Sequence, residues 1–266
     1  MSVPKSQIAD LSDLFSEMHN DGVFSQASIQ SLNVEDIGAQ IQEGLGEVDV
    51  DDVGSEVVLV AVMVDDSGSI RFSGNAQTVR DGHNLMVDSL LESKAKDDVL
   101  FHTRFLNGQV ITPFSRIEDA VKLDKHNYDP DKGTPLYDES VTFLATVAAE
   151  YQKFIDSGIL ARVIIAIITD GEDCHSHSKK ARDVKNIVKD LLATEMYIIC
   201  AMGIDNGGCD FYKVFEEMGI PKEWILTATS NSSDIRAAFK TVSQSMVRAS
   251  QGAGSFSQTA GKGFGD

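Results

Sequence analysis

The sequence predicts a doubly wound, Rossmann-like α/β fold: a mostly parallel six-stranded sheet with one antiparallel edge strand and helices on both faces. Three observations carry that expectation. Glu56–Asp65 (EVVLVAVMVD), Arg162–Thr169 (RVIIAIIT) and Met196–Gly203 are near-continuous apolar runs of strand length, the pattern of strands buried on both faces. Stretches of helical periodicity separate these runs, and alternation of this kind implies a parallel sheet with right-handed crossovers. Asn107-Gly108, between two further strand-like runs, is a hairpin signal that makes one strand antiparallel.

Taken in order, residues 1–55 form an acidic N-terminal arm with two short helical patterns. One is Ile8, Leu11, Leu14, Phe15 and Met18; the other is Val34, Ile37, Ile41 and Leu45. They either pack back on the main domain or form a partner-binding arm. After the first buried strand, a helix is expected from about Asn75 to Glu92, with Val79, Met86 and Leu90 on one face. The hairpin strands are Asp98–Asn107 and Gln109–Phe114, and Ser115 with Glu118 suggests a capping box for a short helix. Pro135–Asp156 reads as a long helix with proline in its favoured first position. Ala181, Val184, Ile187, Val188 and Leu191 mark the helix after the second buried strand. Phe211–Met218 is a short helix closed by Gly219, and Trp224–Thr227 is the sixth strand. Ile235, Ala238, Phe239, Val242 and Met246 mark a last helix capped by Ser232 or Ser233. The glycine-rich residues 250–266 are expected to be a flexible tail, which leaves 56–249 as the domain.

Composition narrows the function. The chain has 266 residues and a formal net charge of −18, and 11 of its 41 acids lie in residues 1–55 beside a single base, Lys5. A nucleic-acid binder needs a basic face for phosphates, so that class drops out. No apolar run approaches the ~20 residues that span a bilayer. Met1–Asp10 carries no basic, then apolar, secretory pattern. Cys174, Cys200 and Cys209 form no CxxC and read as reduced thiols. The expectation is a cytoplasmic, acidic protein that contacts no membrane.

In open sheets of this class, ligands bind beyond the carboxyl ends of the strands, near the switch point. There the sequence puts Asp65-Asp66-Ser67-Gly68-Ser69 after the first buried strand and Thr169-Asp170-Gly171-Glu172-Asp173 after the second. Gly133-Thr134-Pro135 opens the helix between them. Oxygen donors without His or Cys suit a hard cation, Mg2+ or Mn2+, with Ca2+ as a further choice. Singly, each piece has a plainer reading: Ser67-Gly68-Ser69 and Thr134 as helix caps, Asp170-Gly171 as a turn. Caps and turns do not explain their joint occurrence.

The pattern Asp-x-Ser-x-Ser, a distant Thr and a later Asp resembles the metal-ion-dependent adhesion site (MIDAS) of von Willebrand factor type A (vWA) domains. The matching positions are Asp65, Ser67, Ser69, Thr134 and Asp170, and the blocks VMVDDSGSI, DKGTPLYD and IIAIITDGED follow in that family's order. The resemblance covers about residues 56–249. It implies that the serines hold a divalent ion directly, that Thr134 and the aspartates hold it directly or through water, and that an acidic side chain of a partner completes the coordination. It also implies a possible exchange of Asp170 for Thr134 at the ion.

Asp66, Glu172, Asp173, His175 and Asp205 are the expected partner-binding rim. By type, Cys174, His175 and His177 could hold zinc, but their spacing fits a solvated loop better. Asp205-Asn206-Gly207-Gly208 reads as a turn, and Asp49, Asp51 and Asp52 as a linker only loosely like a calcium loop. The expected function is a non-catalytic, metal-dependent protein-binding module. The resemblance implies partners such as MoxR-like AAA+ ATPases or multi-protein assemblies, in the stand-alone prokaryotic or phage style. The alternatives are a structural subunit of a cage, filament or virion with a metal-stapled fold, and a Mg2+-dependent phosphohydrolase with Asp65 as nucleophile. The second would want an aspartate where Ser67 stands, and no phosphate-binding Gly-Lys loop is present.

Overall fold

Valine and isoleucine dominate the central strands because branched side chains fill a pleated surface that is covered on both sides. In the structure, a computed structural model that describes residues 5–32 and 34–265, β1 (Glu56–Val64) is buried from Val57 onward. It pairs in parallel with β2 (Val99–Phe105) on one side and β4 (Leu160–Thr169) on the other. β5 (Tyr197–Asp205) and β6 (Ile225–Thr229) extend the sheet in parallel beyond β4. β3 (Val110–Arg116) runs antiparallel to β2, which gives the order β3-β2-β1-β4-β5-β6. The hairpin turns at Gly108, whose φ of +92° is the left-handed geometry that glycine adopts without strain. The strand order reverses between β1 and β4, so their carboxyl ends bound the crevice where such sheets bind ligands.

The helices are α1 (Lys5–Asn20), α2 (Gln26–Ser31), α3 (Val34–Gly44), α4 (Gly68–Phe72), α5 (Ala76–Leu91), α6 (Leu136–Asp156), α7 (Ala181–Ala193), α8 (Phe211–Glu217), α9 (Ser232–Ser250) and α10 (Ala253–Lys262). α5 and α9 pack together over one face, and α6 and α7 over the other. Among the described residues, no helix is long and apolar enough to cross a membrane.

The N-terminal arm folds back. It holds three helices rather than two, because the Ser25 hydroxyl caps a short extra one by accepting the Ser28 N–H. α3 packs on α6 and β3, and α2 packs on α7. Met18, Phe24 and Ile41 are buried there. Covered by the arm outside and by β1 and β4 inside, α6 is buried along nearly its whole length, and its apolar residues are correspondingly not confined to one stripe. Residues 1–4, Asn33, Asp266 and the side chain of Ile8 lie outside the described residues.

Four local expectations are corrected. Residues 253–262 form helix α10 where a flexible tail was expected: Phe256 is buried, and Phe264 stacks edge-on with Trp224 at 5.1 Å. Two aromatic anchors outweigh the glycines' entropy. Ser115 caps nothing; β3 continues through it and a 3-10 turn follows at Ile117–Asp119. Pro135 sits just before α6 instead of in its first turn. The cap of α9 is Asn231, whose side-chain oxygen accepts the Ser233 and Asp234 N–H groups, so neither serine is needed.

Candidate functional site

Asp65 directly follows β1 at the switch point, and its backbone N–H donates to the Ile168 carbonyl at 2.9 Å, tying the two strand ends together. Its carboxylate organises both loops beyond. Oδ1 accepts the Ser67 N–H at 2.7 Å, while Oδ2 accepts the Thr169 hydroxyl at 2.6 Å and the Asp170 N–H at 3.3 Å. The turn this enforces aims two hydroxyls at one oxygen. Ser69 Oγ donates to Asp170 Oδ1 at 2.6 Å, Ser67 Oγ lies 3.4 Å from the same atom, and the two Oγ atoms are 2.9 Å apart. Asp170 Oδ2 is buried and has no hydrogen-bond partner among the described residues.

Thr134 stands at the edge of this cluster. Its N–H donates to His175 Nδ1 at 2.8 Å, and its carbonyl accepts the Cys174 and His175 N–H groups. Gly133 leaves room for that ring, since a Cβ there would come within 2.8 Å of His175 Cγ. The Thr134 methyl faces Gly171, next to Asp170, at 4.0 Å from where a Cβ on Gly171 would stand. A short ladder joins the loops: Gly68 N–H donates to Lys132 O at 3.0 Å, and Lys132 N–H to Asp66 O at 3.1 Å. The structure therefore brings Asp65, Ser67, Ser69 and Asp170 into one hydrogen-bonded group with Thr134 beside it, held through backbone.

The expected rim divides. Glu172 is exposed, and Asp173 and Asp205 are half-buried. Asp205 closes a turn by accepting the Gly207 N–H at 2.7 Å, as the Asn-Gly-Gly sequence suggests. Asp66 is not a rim contact: it is buried, because its Oδ1 accepts the Asn107 N–H at 3.1 Å and pins the β2–β3 hairpin to the site. His175 is exposed but positions the Thr134 loop, as described above. Among the described residues, no three His, Cys, Asp or Glu side chains that could hold a metal come together. The Cys174–His177 and Asp49–Asp52 segments therefore form no such centre, and any ion at the switch point depends on hydroxyl donors.

The electrostatics favour such an ion. Burial, and then the Asp65 charge, push the Asp66 carboxyl up to about 7. Burial pushes Asp170 up to about 6, against the pull of the Ser69 hydrogen bond. Buried carboxylates without a compensating cation are costly. The orphaned Oδ2 of Asp170 and the Ser67 and Ser69 hydroxyls gathered on its other oxygen form an oxygen-only donor set that fits a hard divalent cation.

Two residues that the sequence reading does not single out support this arrangement. The Thr169 hydroxyl holds Asp65, and the buried Tyr128 Oη donates to the Asp65 carbonyl at 2.6 Å. Thr169 has a signal, since it directly precedes Asp170 at the end of a buried run. Tyr128 has none, because the irregular loop 124–135 shows no periodicity.

No family profile and no curated protein matches the sequence. Solved structures do. The pilus adhesin SpaC from Lactobacillus rhamnosus GG, in an open conformation, superposes with a TM-score of 0.54 at 12% identity over 77% of this chain and 31% of that one. Proximal thread matrix protein 1 from the mussel byssus, with a zinc-occupied MIDAS motif, superposes with a TM-score of 0.50 at 17% identity over 72% and 46%. The fold is that of a vWA domain. A von Willebrand factor type A structure from Catenulispora acidiphila aligns at 14% identity over 73% of this chain and 43% of that one, with a TM-score of 0.48. At these identities the likeness is one of fold, and this chain spans less than half the length of each of the three. Within the vWA fold, the crevice between β1 and β4 is where Asp65, Ser67, Ser69 and Asp170 meet.

Proposed function

We propose that this vWA domain is a metal-dependent protein-binding module without catalytic activity. Asp170, Ser67, Ser69 and Thr134 hold a divalent cation, with Mg2+ as the first choice and Mn2+ or Ca2+ as substitutes. Asp65 acts behind them: both its oxygens are occupied by Ser67, Thr169 and Asp170, so it fixes the loops and meets the ion's charge at one remove. A cation held there supplies an electrophilic coordination position for an Asp or Glu of a partner protein. The observation that carries this reading is the buried, unpartnered Oδ2 of Asp170 beside two hydroxyls already gathered on its other oxygen.

The same geometry weighs against the phosphohydrolase alternative. A nucleophilic Asp65 would need an accessible oxygen, whereas Asp65 is fully buried with both oxygens bonded. The structural-subunit alternative relies on extended ends that tie neighbours together, but the described parts of both ends pack on the domain. Its unpaired cysteines, Cys174, Cys200 and Cys209, support a reducing, cytoplasmic setting. An AAA+ ATPase of the MoxR type or a multi-protein assembly remains the partner class that the resemblance favours.

The test is calorimetric titration with Mg2+ and Mn2+ of the wild type, Ser69→Ala and Asp170→Ala, with folding checked by circular dichroism. Saturable binding to the wild type that disappears in both folded variants is the expected result. Equal heats in all three proteins would overturn the reading.

A further inference from the structure

The face around the proposed ion is not uniform. On the β1 side, Phe72 at the end of α4 is 89% exposed, and its ring lies over Gly68, where a Cβ would stand 3.4 Å from Cε2. Gly68 neighbours Ser69, so this apolar surface adjoins the hydroxyl cluster. The charges near it are matched in pairs: Arg71 with Asp129 at 2.8 Å and Lys132 with Asp131 at 2.9 Å. On the β5 side, the loops after β4 and β5 carry Glu172, Asp173, Asp205 and Asp210, and among the described residues no Lys or Arg forms an ion pair with any of them. These acids act on one region. Burial first, then Glu172, Asp205 and Asp210, push the Cys209 thiol up to about 11. Because β4 lies between β1 and β5, Asp170 sits between the apolar side and the acidic side.

We infer that this face reads a linear segment of a partner protein in three parts: a large apolar side chain on Phe72, a central carboxylate at the ion, and a Lys or Arg facing Glu172 and Asp205. The inference rests on the metal-bridge reading for its central part only. An aromatic ring left in water beside a polar site gains by covering an apolar side chain. Unmatched acids favour a basic residue and repel a second acid, which sets the direction of the segment. A segment of acids alone would meet repulsion on the β5 side, and one without an apolar flank would leave Phe72 exposed.

The experiment is selection from a phage-displayed library of random peptides with one fixed central Asp, on the full chain in Mg2+ and in EDTA. Peptides from the wild type in Mg2+ are expected to carry an aromatic or large aliphatic residue on one flank and Lys or Arg on the other. A synthetic peptide of the selected sequence should then bind Phe72→Ser roughly tenfold more weakly, and Glu172→Lys roughly threefold more weakly. Phe72 is uncharged and lies outside the ligand set, so Phe72→Ser should keep the wild-type Mg2+ binding heat, and the Glu172→Lys comparison is made at saturating Mg2+ because its new charge lies near the ion. Asp-centred peptides without flank preferences, or an unchanged selection on Phe72→Ser, would overturn the inference. Equal recovery in EDTA that is still lost on Phe72→Ser would support the apolar anchor and overturn the metal reading. Failure of any peptide to bind the wild type would count against both.

Discussion

Two regions of the molecule bury carboxylates, and they neutralise them differently. Beneath the N-terminal arm, Glu150 accepts the Gly46 N–H at 3.0 Å and faces Lys153 Nζ at 3.4 Å, while Lys153 also donates to the Val48 carbonyl at 2.7 Å. Glu139 stands 3.9 Å from the fully buried Arg104, which donates to the Gln40 carbonyl at 2.6 Å. At the switch point, Asp65, Asp66 and Asp170 meet hydroxyls and backbone N–H groups, and none has an ion-pair partner among the described residues. Where the chain intends a permanent contact, it supplies the cation itself. At the rim no Lys or Arg among the described residues does so, and in the proposed function a cation from solution takes that place.

The largest effect is expected from removing a cation on the arm side. Arg104→Ala would leave Glu139 buried without its counter-charge and free the Gln40 carbonyl, and it should cost roughly 3–5 kcal/mol of unfolding free energy. Urea denaturation at pH 8 measures it, and a loss under about 1 kcal/mol would show that the pair is not what holds the arm. At the rim the missing charge should be restored by adding it. Mg2+ at about a hundred times its dissociation constant should stabilise the wild type by ~2.7 kcal/mol, seen as a melting point several degrees higher. Asp170→Ala should show no shift with Mg2+. A wild type indifferent to Mg2+ would place both regions in the same class.

How far these regions were legible in the sequence follows from the physics of each. The sheet is readable because strands buried on both faces must be apolar throughout, as Val57–Val64 and Ile164–Ile168 are. The site is readable because its donors sit at fixed offsets from strand ends: Asp65, Ser67 and Ser69 after β1, Asp170 after β4. The arm's destination is not readable, since it depends on α6 being apolar on two sides, and periodicity within α6 reports only that it is buried. Nor are the roles of Asp66 and His175, which are decided by contacts with Asn107 and Thr134 far along the chain. The tail misleads for the opposite reason: five glycines and one lysine describe its entropy, while Phe256 and Phe264 decide where it goes.

A smaller effect comes from Glu139 on the arm side. Glu139 is pushed up to about 7 by burial, against the pull of Arg104 and with Asp138 pushing further, while Glu43 bears on Arg104 from the arm. Its folded value lies above its unfolded one, so its contribution is fully present below the unfolded value near 4.5 and is lost as pH rises through about 7. Stability measured from pH 5 to 8 should therefore fall more steeply in the wild type than in Glu139→Gln, by at most ~1.4 kcal/mol per pH unit. Parallel profiles would mean that Arg104 offsets the burial of Glu139 in full.

The smallest change tests the rim from behind. Tyr128 donates to the Asp65 carbonyl, packs edge-on against Phe105 at 5.3 Å, and receives a hydrogen bond from Arg80 Nη1 at its own carbonyl. Tyr128→Phe keeps the ring and the Arg80 contact and deletes only the hydroxyl, leaving one buried carbonyl lone pair without that donor. The expected loss is about 1 kcal/mol of stability with the Mg2+ shift intact, because the deleted bond holds the Asp65 backbone and not its carboxylate. If the Mg2+ response vanished together with that hydroxyl, the ion's setting would reach back through the backbone of β1, and the rim would have to be counted as a longer chain of residues than Ser67, Ser69, Thr134 and Asp170.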